Sequence, residues 1–386
     1  FGMLVGIGSA TRISIFMGRK EMKQAEHVLG NALSLTLLLS LLTIVPSMIF
    51  LKDLLLWFGG SEQTIPYAEA YLYIAIPGNL LASLSFSFNS VMRASGYPKK
   101  AMAYMLLGAI LNVILDPIFI FVFDMGIRGA AIATVISMAV GAAFVLSHFL
   151  SKESLIRFHR RYLNFDWKIV LSILAIGISP FSMQLAGSMV SVFLNNALLR
   201  EGGDLAIGAI GIITSVGMLL IMLIIGIAQG MQPIVGYNYG AGLYQRVHQT
   251  LRLVIITATS IMTTGWLCCE LFPSFIVRGF TTDPELVTIA ANGLRLNLAA
   301  FFVVGSQIAI SQFFQSIGFA WKAIFLSLSR QVLFLIPAIF VLSSLYGLEG
   351  VWLTGPFSDI LAALVAWAFL IHHVKNAKKR VVNMNI

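Results

Sequence analysis

Charge and cysteine are both scarce in this chain. Only 11% of its 386 residues are Asp, Glu, Lys or Arg, less than half the roughly 25% that soluble domains carry. So little charge cannot cover a water-facing surface, which excludes a soluble globule. The two cysteines, Cys268 and Cys269, are neighbours in one apolar stretch. A disulfide between them would be strained and a metal would find no further ligands, so both read as packing residues. The six histidines form no metal-binding constellation. An H-E-x-x-H pair, an aspartate-rich diphosphate motif and paired catalytic aspartates are all missing. The chain is therefore not expected to be an enzyme or to need a cofactor.

Apolar residues dominate instead, at 58%. They fall into eleven segments: 1–18, 30–51, 66–92, 101–123, 129–150, 168–198, 205–237, 247–273, 284–315, 323–345 and 349–373. A membrane-spanning helix needs about 20 residues, and ten segments reach that length. The first begins at Phe1, with no initiator Met and no signal-peptide layout, and reads as a truncated helix. The expectation is an all-α integral membrane protein. A net charge of +9 would suit nucleic acid only if the basic residues shared one face. They are split among short loops instead. Assigning alternate loops to one side places eighteen of the 25 lysines and arginines there, among them the run from Lys152 to Lys168 and the C-terminal Lys375, Lys378, Lys379 and Arg380. By the positive-inside bias that side is cytoplasmic, and the C-terminus with it.

Self-comparison reveals a duplication. Gly8, Gly18, Gly96 and Lys100 recur as Gly230, Gly240, Gly318 and Lys322 at an offset of 222, Pro117 as Pro337 at 220, and Gly126 and Gly129 as Gly347 and Gly350 at 221. The expected domains are an N-terminal lobe at 1–150 with five of six helices, a cytoplasmic linker at 151–167, a six-helix C-terminal lobe at 168–375 and a basic cytoplasmic tail at 376–386. Projecting Lys168 back by the offset leaves about one and a half helices missing ahead of Phe1, so the complete protein is expected to have twelve and this piece is not expected to transport alone. An even number of helices per half gives two pseudo-symmetric six-helix bundles as parallel repeats.

Asp116 lies in a stretch with no other charge between Lys100 and Asp124. A carboxylate at that depth is unfavourable unless protonated, paired or hydrated, and is a functional candidate by default. Asn112 stands one helical turn away on the same face. Pro117 frees a backbone carbonyl and bends the helix beside the carboxylate. In the second half Pro337 is kept, while Val332 and Ile336 replace the polar pair. The bend alone therefore does not require Asn112 and Asp116.

The runs Arg93-Ala-Ser-Gly-Tyr-Pro-Lys-Lys-Ala-Met102, Asn112 to Thr134, and Gly226-Ile-Ala-Gln-Gly-Met-Gln-Pro-Ile-Val-Gly-Tyr-Asn-Tyr-Gly-Ala241 resemble the multidrug and toxic compound extrusion (MATE) family, nearest its bacterial branch. The likeness runs from Phe1 to about His373. It implies two six-helix lobes around a central cavity that opens alternately to each side, exporting organic cations in exchange for H⁺ or Na⁺. It further implies a coupling-ion site formed by Asn112, Asp116 and Thr134, with one more acidic residue on a helix that precedes Phe1. The implied setting is a bacterial inner (plasma) membrane, with a small-molecule organic cation as partner, no nucleic acid, and a monomer.

The second half has its own polar residues at depth. Arg330 and Asp359 sit on consecutive antiparallel helices at depths differing by roughly 9 Å at 1.5 Å rise per residue. A structural ion pair and a substrate or proton site both fit them. Gln229, Gln232 and Asn238 on one helix and Gln312 on another either line a cavity or bridge packed helices. A lipid-linked oligosaccharide flippase of related architecture is the alternative function. It would call for several intramembrane basic residues to meet a pyrophosphate, and only Arg12, Arg295 and Arg330 lie within helices.

Overall fold

The computed structural model describes residues 1–58, 61 and 63–384, the last eight as backbone alone. In chain order the helices are α1 (Gly2–Gly18), α2 (Met22–Ile49), α3 (Leu51–Trp57), α4 (Ile65–Ala94), α5 (Pro98–Pro117), α6 (Gly126–Leu150), α7 (Trp167–Gly240), α8 (Tyr244–Leu271), α9 (Pro273–Arg278), α10 (Pro284–Leu298), α11 (Phe301–Ser316), α12 (Ala320–Leu328) and α13 (Ile336–Met384). Five-residue and seven-residue π-helical stretches, Ile118–Val122 and Ser329–Leu335, extend α5 and join α12 to α13. No strand occurs among the described residues. The fold is an all-α membrane bundle, as composition required. Of the basic tail expected at 376–386, helical backbone continues to Met384, while the side chains from 377 on and residues 385–386 lie outside the described part.

Seven helical runs among the described residues are long and apolar enough to cross a membrane, and α10 with α11 makes one more span bent by 48°. The long runs each contain two of the apolar segments read from sequence. The 74 residues of α7 are broken at Gly203, where φ is 64° and ψ −159°, and α13 is broken at Gly347, where φ is 57° and ψ −134°. Only glycine adopts such backbone readily. Each break lies in the short interruption between two of the apolar segments, 199–204 and 346–348.

The duplication is written into the backbone. Left-handed residues recur at the repeat offset: Lys20 (φ 63°) with Gly242 (φ 73°), Gly96 (97°) with Gly318 (79°), and Gly126 (53°) with Gly347 (57°). Gly96 and Gly318 end helices with the same hydrogen bonds. Gly96 and Tyr97 donate to the carbonyls of Arg93 and Met92 at 3.2 and 3.1 Å, and Gly318 and Phe319 to those of Gln315 and Phe314 at 3.1 and 2.9 Å. This is the reversal that satisfies the last free carbonyls of a helix.

Two compact units divide the chain: residues 1–178 with 236–242, and residues 179–235 with 243–386. The first packs Leu29, Phe88, Met92, Phe149 and Ile173 into its core. Phe88, Phe149 and Phe158 meet edge-on with ring centroids 5.5–5.9 Å apart. Small residues let its backbones touch, as helices in lipid require when no hydrophobic gain drives them together. A Cβ on Gly8 would stand 2.2 Å from the Ile173 carbonyl oxygen. Within this unit α1 and the end of α7 also meet reciprocally. A Cβ on Gly18 would fall 2.1 Å from the Tyr237 oxygen, and one on Gly240 2.2 Å from the Ile15 oxygen.

The 151–166 segment is ordered against α2. Asn31 donates through Nδ2 to the Tyr162 carbonyl (3.3 Å) and accepts through Oδ1 from the Asp166 amide (2.8 Å), and Ser34 donates to the Leu163 carbonyl (2.6 Å). Glu26 accepts from the Arg157 amide and faces His159 Nε2, both at 3.2 Å. Asp166 then caps α7 by accepting from the Lys168 amide at 2.9 Å.

The second unit centres on Trp352, which is 1% exposed. Ile213 and Gly293 lie against each other there, and a Cβ on Gly293 would approach Ile213 to 2.8 Å and the Trp352 ring to 3.1 Å. Asn297 donates to the Trp352 carbonyl at 3.2 Å, and Trp367 donates its indole N–H to Ser306 at 3.2 Å.

Candidate functional site

The three residues singled out in the first half meet. Asn112 and Asp116 project from the last turns of α5, and Asn112 donates through Nδ2 to Asp116 Oδ1 at 3.2 Å. The same amide reaches Thr134 Oγ1 on α6 at 3.4 Å, and Thr134 in turn donates to the Ala130 carbonyl at 2.9 Å. All three are half-buried. Helix α5 becomes π-helical right after Pro117. π-helical turns insert an extra residue and are frequent at functional sites. Helix α6 is held against this stretch at Gly129, where a Cβ would stand 2.4 Å from the Phe119 carbonyl oxygen.

The geometry gives the cluster a definite chemistry. Asn112 directs its amide N–H groups at both the carboxylate and the hydroxyl, which leaves the second carboxylate oxygen of Asp116 outside these bonds. Turning the terminal amide of Asn112 by half a revolution would present a carbonyl oxygen in place of two N–H groups. Carboxylate, amide carbonyl and hydroxyl are hard oxygen ligands suited to a small cation. No group of three or more His, Cys, Asp or Glu residues is poised to hold a metal among the described residues. The arrangement is thus a single-carboxylate site, open to either a proton or a monovalent ion.

In the second half Val332 and Ile336 occupy the corresponding positions. Polar chemistry there has moved to Arg330 and Asp359. Arg330 Nε donates to Asp359 Oδ1 at 2.6 Å. The Asp359 side chain is 2% exposed and that of Arg330 23%. Arg330 is the second residue of the π-helical stretch Ser329–Leu335. Gln312 leaves a buried Nε2 without a partner, Gln229 is half-buried, and Gln232 and Asn238 are buried at 3% and 9% exposure. Among the described residues no hydrogen bond joins Gln229 or Gln312 to the ion pair. Arg295, one of the three arginines within helices, has its Nε 3.3 Å from Glu270 Oε1. No periodic signal links residues on those two helices.

The MatE family profile matches residues 1–118 and 180–341. Multidrug export protein MepA of Staphylococcus haemolyticus is 27% identical over 376 residues, covering 97% of this chain and 82% of that protein. MepA of Staphylococcus aureus is 27% identical over 365 residues, with 95% and 80% covered. Among solved structures, the MATE multidrug transporter DinF-BH is 34% identical with a TM-score of 0.88, covering 96% of this chain and 83% of that one. A MATE in the bent conformation superposes with a TM-score of 0.93 over 98% of this chain and 85% of that one at 24% identity, a likeness of fold.

Proposed function

The chain belongs to the MatE family of multidrug efflux transporters, and within that family we propose that it is an antiporter exporting organic cations in exchange for H⁺ or Na⁺ by alternating access. It is a multi-pass membrane transporter of small molecules and not an enzyme. The observation that carries the coupling proposal is the Asn112–Asp116–Thr134 cluster, an oxygen-rich site with one carboxylate in an apolar helix pair, absent from the homologous positions of the second half.

In this reading Asp116 alternates between two occupants. Desolvation favours its protonated form and a bound cation its ionised form. Asn112 and Thr134 serve both states, because an amide and a hydroxyl each offer a donor and an acceptor. A single negative charge also suits a cationic cargo. The resting place is the bacterial plasma membrane, as a monomer with a cytoplasmic C-terminus; the split of lysine and arginine among the loops supports that orientation.

The test is transport of a fluorescent organic cation by the full-length protein in proteoliposomes under an imposed H⁺ or Na⁺ gradient. Gradient-driven transport is expected for the native protein and its loss for Asp116→Asn, with unchanged thermal unfolding. Equal transport by both would move coupling away from Asp116.

A further inference from the structure

We propose that the segment leading into α7 is a binding site for anionic phospholipid headgroups of the inner leaflet. Three features of one short stretch point there. Arg160, Arg161 and Lys168 carry positive charge with no acidic partner among the described residues, while the nearby acids are engaged elsewhere. Glu153 meets Lys100 at 2.6 Å, Asp166 caps α7, and Glu26 takes the Arg157 amide and His159. Apolar side chains lie between these cations in the sequence and are exposed: Leu163 is 36% exposed, Phe165 41% and Trp167 68%. The Phe165 and Trp167 rings stack with centroids 6.1 Å apart, and the Arg161 guanidinium lies 4.5 Å from the centre of the Tyr162 ring.

Position supplies the second argument. Trp167 is the first residue of α7, a run that enters the membrane, so its indole stands where hydrocarbon gives way to headgroups. That is the level at which tryptophan is enriched and at which basic side chains meet lipid phosphates. The third argument is preorganisation. The hydrogen bonds from Asn31 and Ser34 fix the backbone at Tyr162, Leu163 and Asp166, so little ordering remains for a lipid to impose. The occupant that matches aromatic rings beside uncompensated cations at this depth is a lipid with a negatively charged headgroup. The preference for anionic lipid stands on the segment alone; naming the inner leaflet rests on the orientation proposed above.

The experiment is native mass spectrometry of the full chain in detergent, titrated with phosphatidylglycerol or phosphatidylcholine. The native chain should bind phosphatidylglycerol in preference. Each juxtamembrane basic residue contributes about fivefold, so Arg160→Gln alone should weaken phosphatidylglycerol binding about fivefold. Replacing Arg160, Arg161 and Lys168 together by Gln should weaken it on the order of a hundredfold, and the paired change Arg128→Gln with Arg278→Gln should not. An unchanged preference in Arg160→Gln and the triple variant would overturn the proposal. So would competition by millimolar inorganic phosphate as effective as that by the lipid, which would make the ligand a soluble anion. Labelling of Asn164→Cys in vesicles of known sidedness reads the leaflet separately: reaction from the cytoplasmic side upholds it, and reaction from the outside refutes the inner-leaflet assignment.

Discussion

At the residue scale, the most consequential feature of the second half is the ion pair between Arg330 and Asp359, a 2.6 Å contact with a carboxylate 2% exposed. Removing one partner strands a charge away from water, a change of about 3–5 kcal/mol, whereas replacing both by apolar residues of similar size is often neutral. Asp359→Asn and Arg330→Gln should each lower the melting temperature in detergent, and the double change to Leu and Met should recover most of the loss. If the single variants keep their stability and lose transport, the pair belongs to the transport site. Both residues were legible in the sequence because charge is conspicuous in an apolar run, and Asn112 and Asp116 because of their spacing, while Thr134 came only from the family resemblance. Asn31 was not. Its two bonds reach residues 131 and 135 positions away, and nothing in a helical period encodes a partner in a distant loop.

At the element scale, repeat-related glycines marked the duplication in sequence but not the work each performs. Gly8 leaves no room for a side chain beside Ile173, whereas its counterpart Gly230 has nothing within 4 Å. Gly8→Ala is therefore expected to destabilise by about 1–3 kcal/mol through overpacking, and Gly230→Ala to be neutral or to gain up to about 1 kcal/mol from helix propensity. Thermal unfolding of the two variants separates them. Lys20 offers the inverse case, since it holds the left-handed φ of 63° where its counterpart is Gly242. A non-glycine residue there is strained by about 1–2 kcal/mol, so Lys20→Gly should raise stability and Gly242→Lys should lower it. Segment periodicity located the helices; it did not show that α7 and α13 continue through glycine breaks, because a break at one residue leaves the apolar pattern on either side intact.

At the scale of the whole molecule, charge is concentrated at helix ends and in loops, and there it holds segments together. The Lys100 ammonium, 2.6 Å from Glu153, holds the Glu153 carboxyl below its ordinary range chiefly by donating a hydrogen bond to it. A carboxyl depressed in this way supports the folded arrangement at neutral pH, and the support is lost as pH falls through its lowered value. Tryptic cleavage after the exposed Lys152 should accelerate on acidification into the acidic range, once corrected for the protease's own pH response, and Glu153→Gln should cleave faster already at neutral pH with no further acid effect. The class of fold was legible from composition, because the bilayer leaves a chain few options. The contacts between helices were not, because in lipid they rest on where backbones touch.

The reciprocal meeting of α1 with the end of α7 is a symmetric contact. Gly18 and Gly240 are 222 positions apart, and so are Ile15 and Tyr237, whose carbonyl oxygens they face. A contact in which each side presents the same patch is the signature of a twofold-symmetric pair. Two copies of one half related by such an axis would make this contact twice.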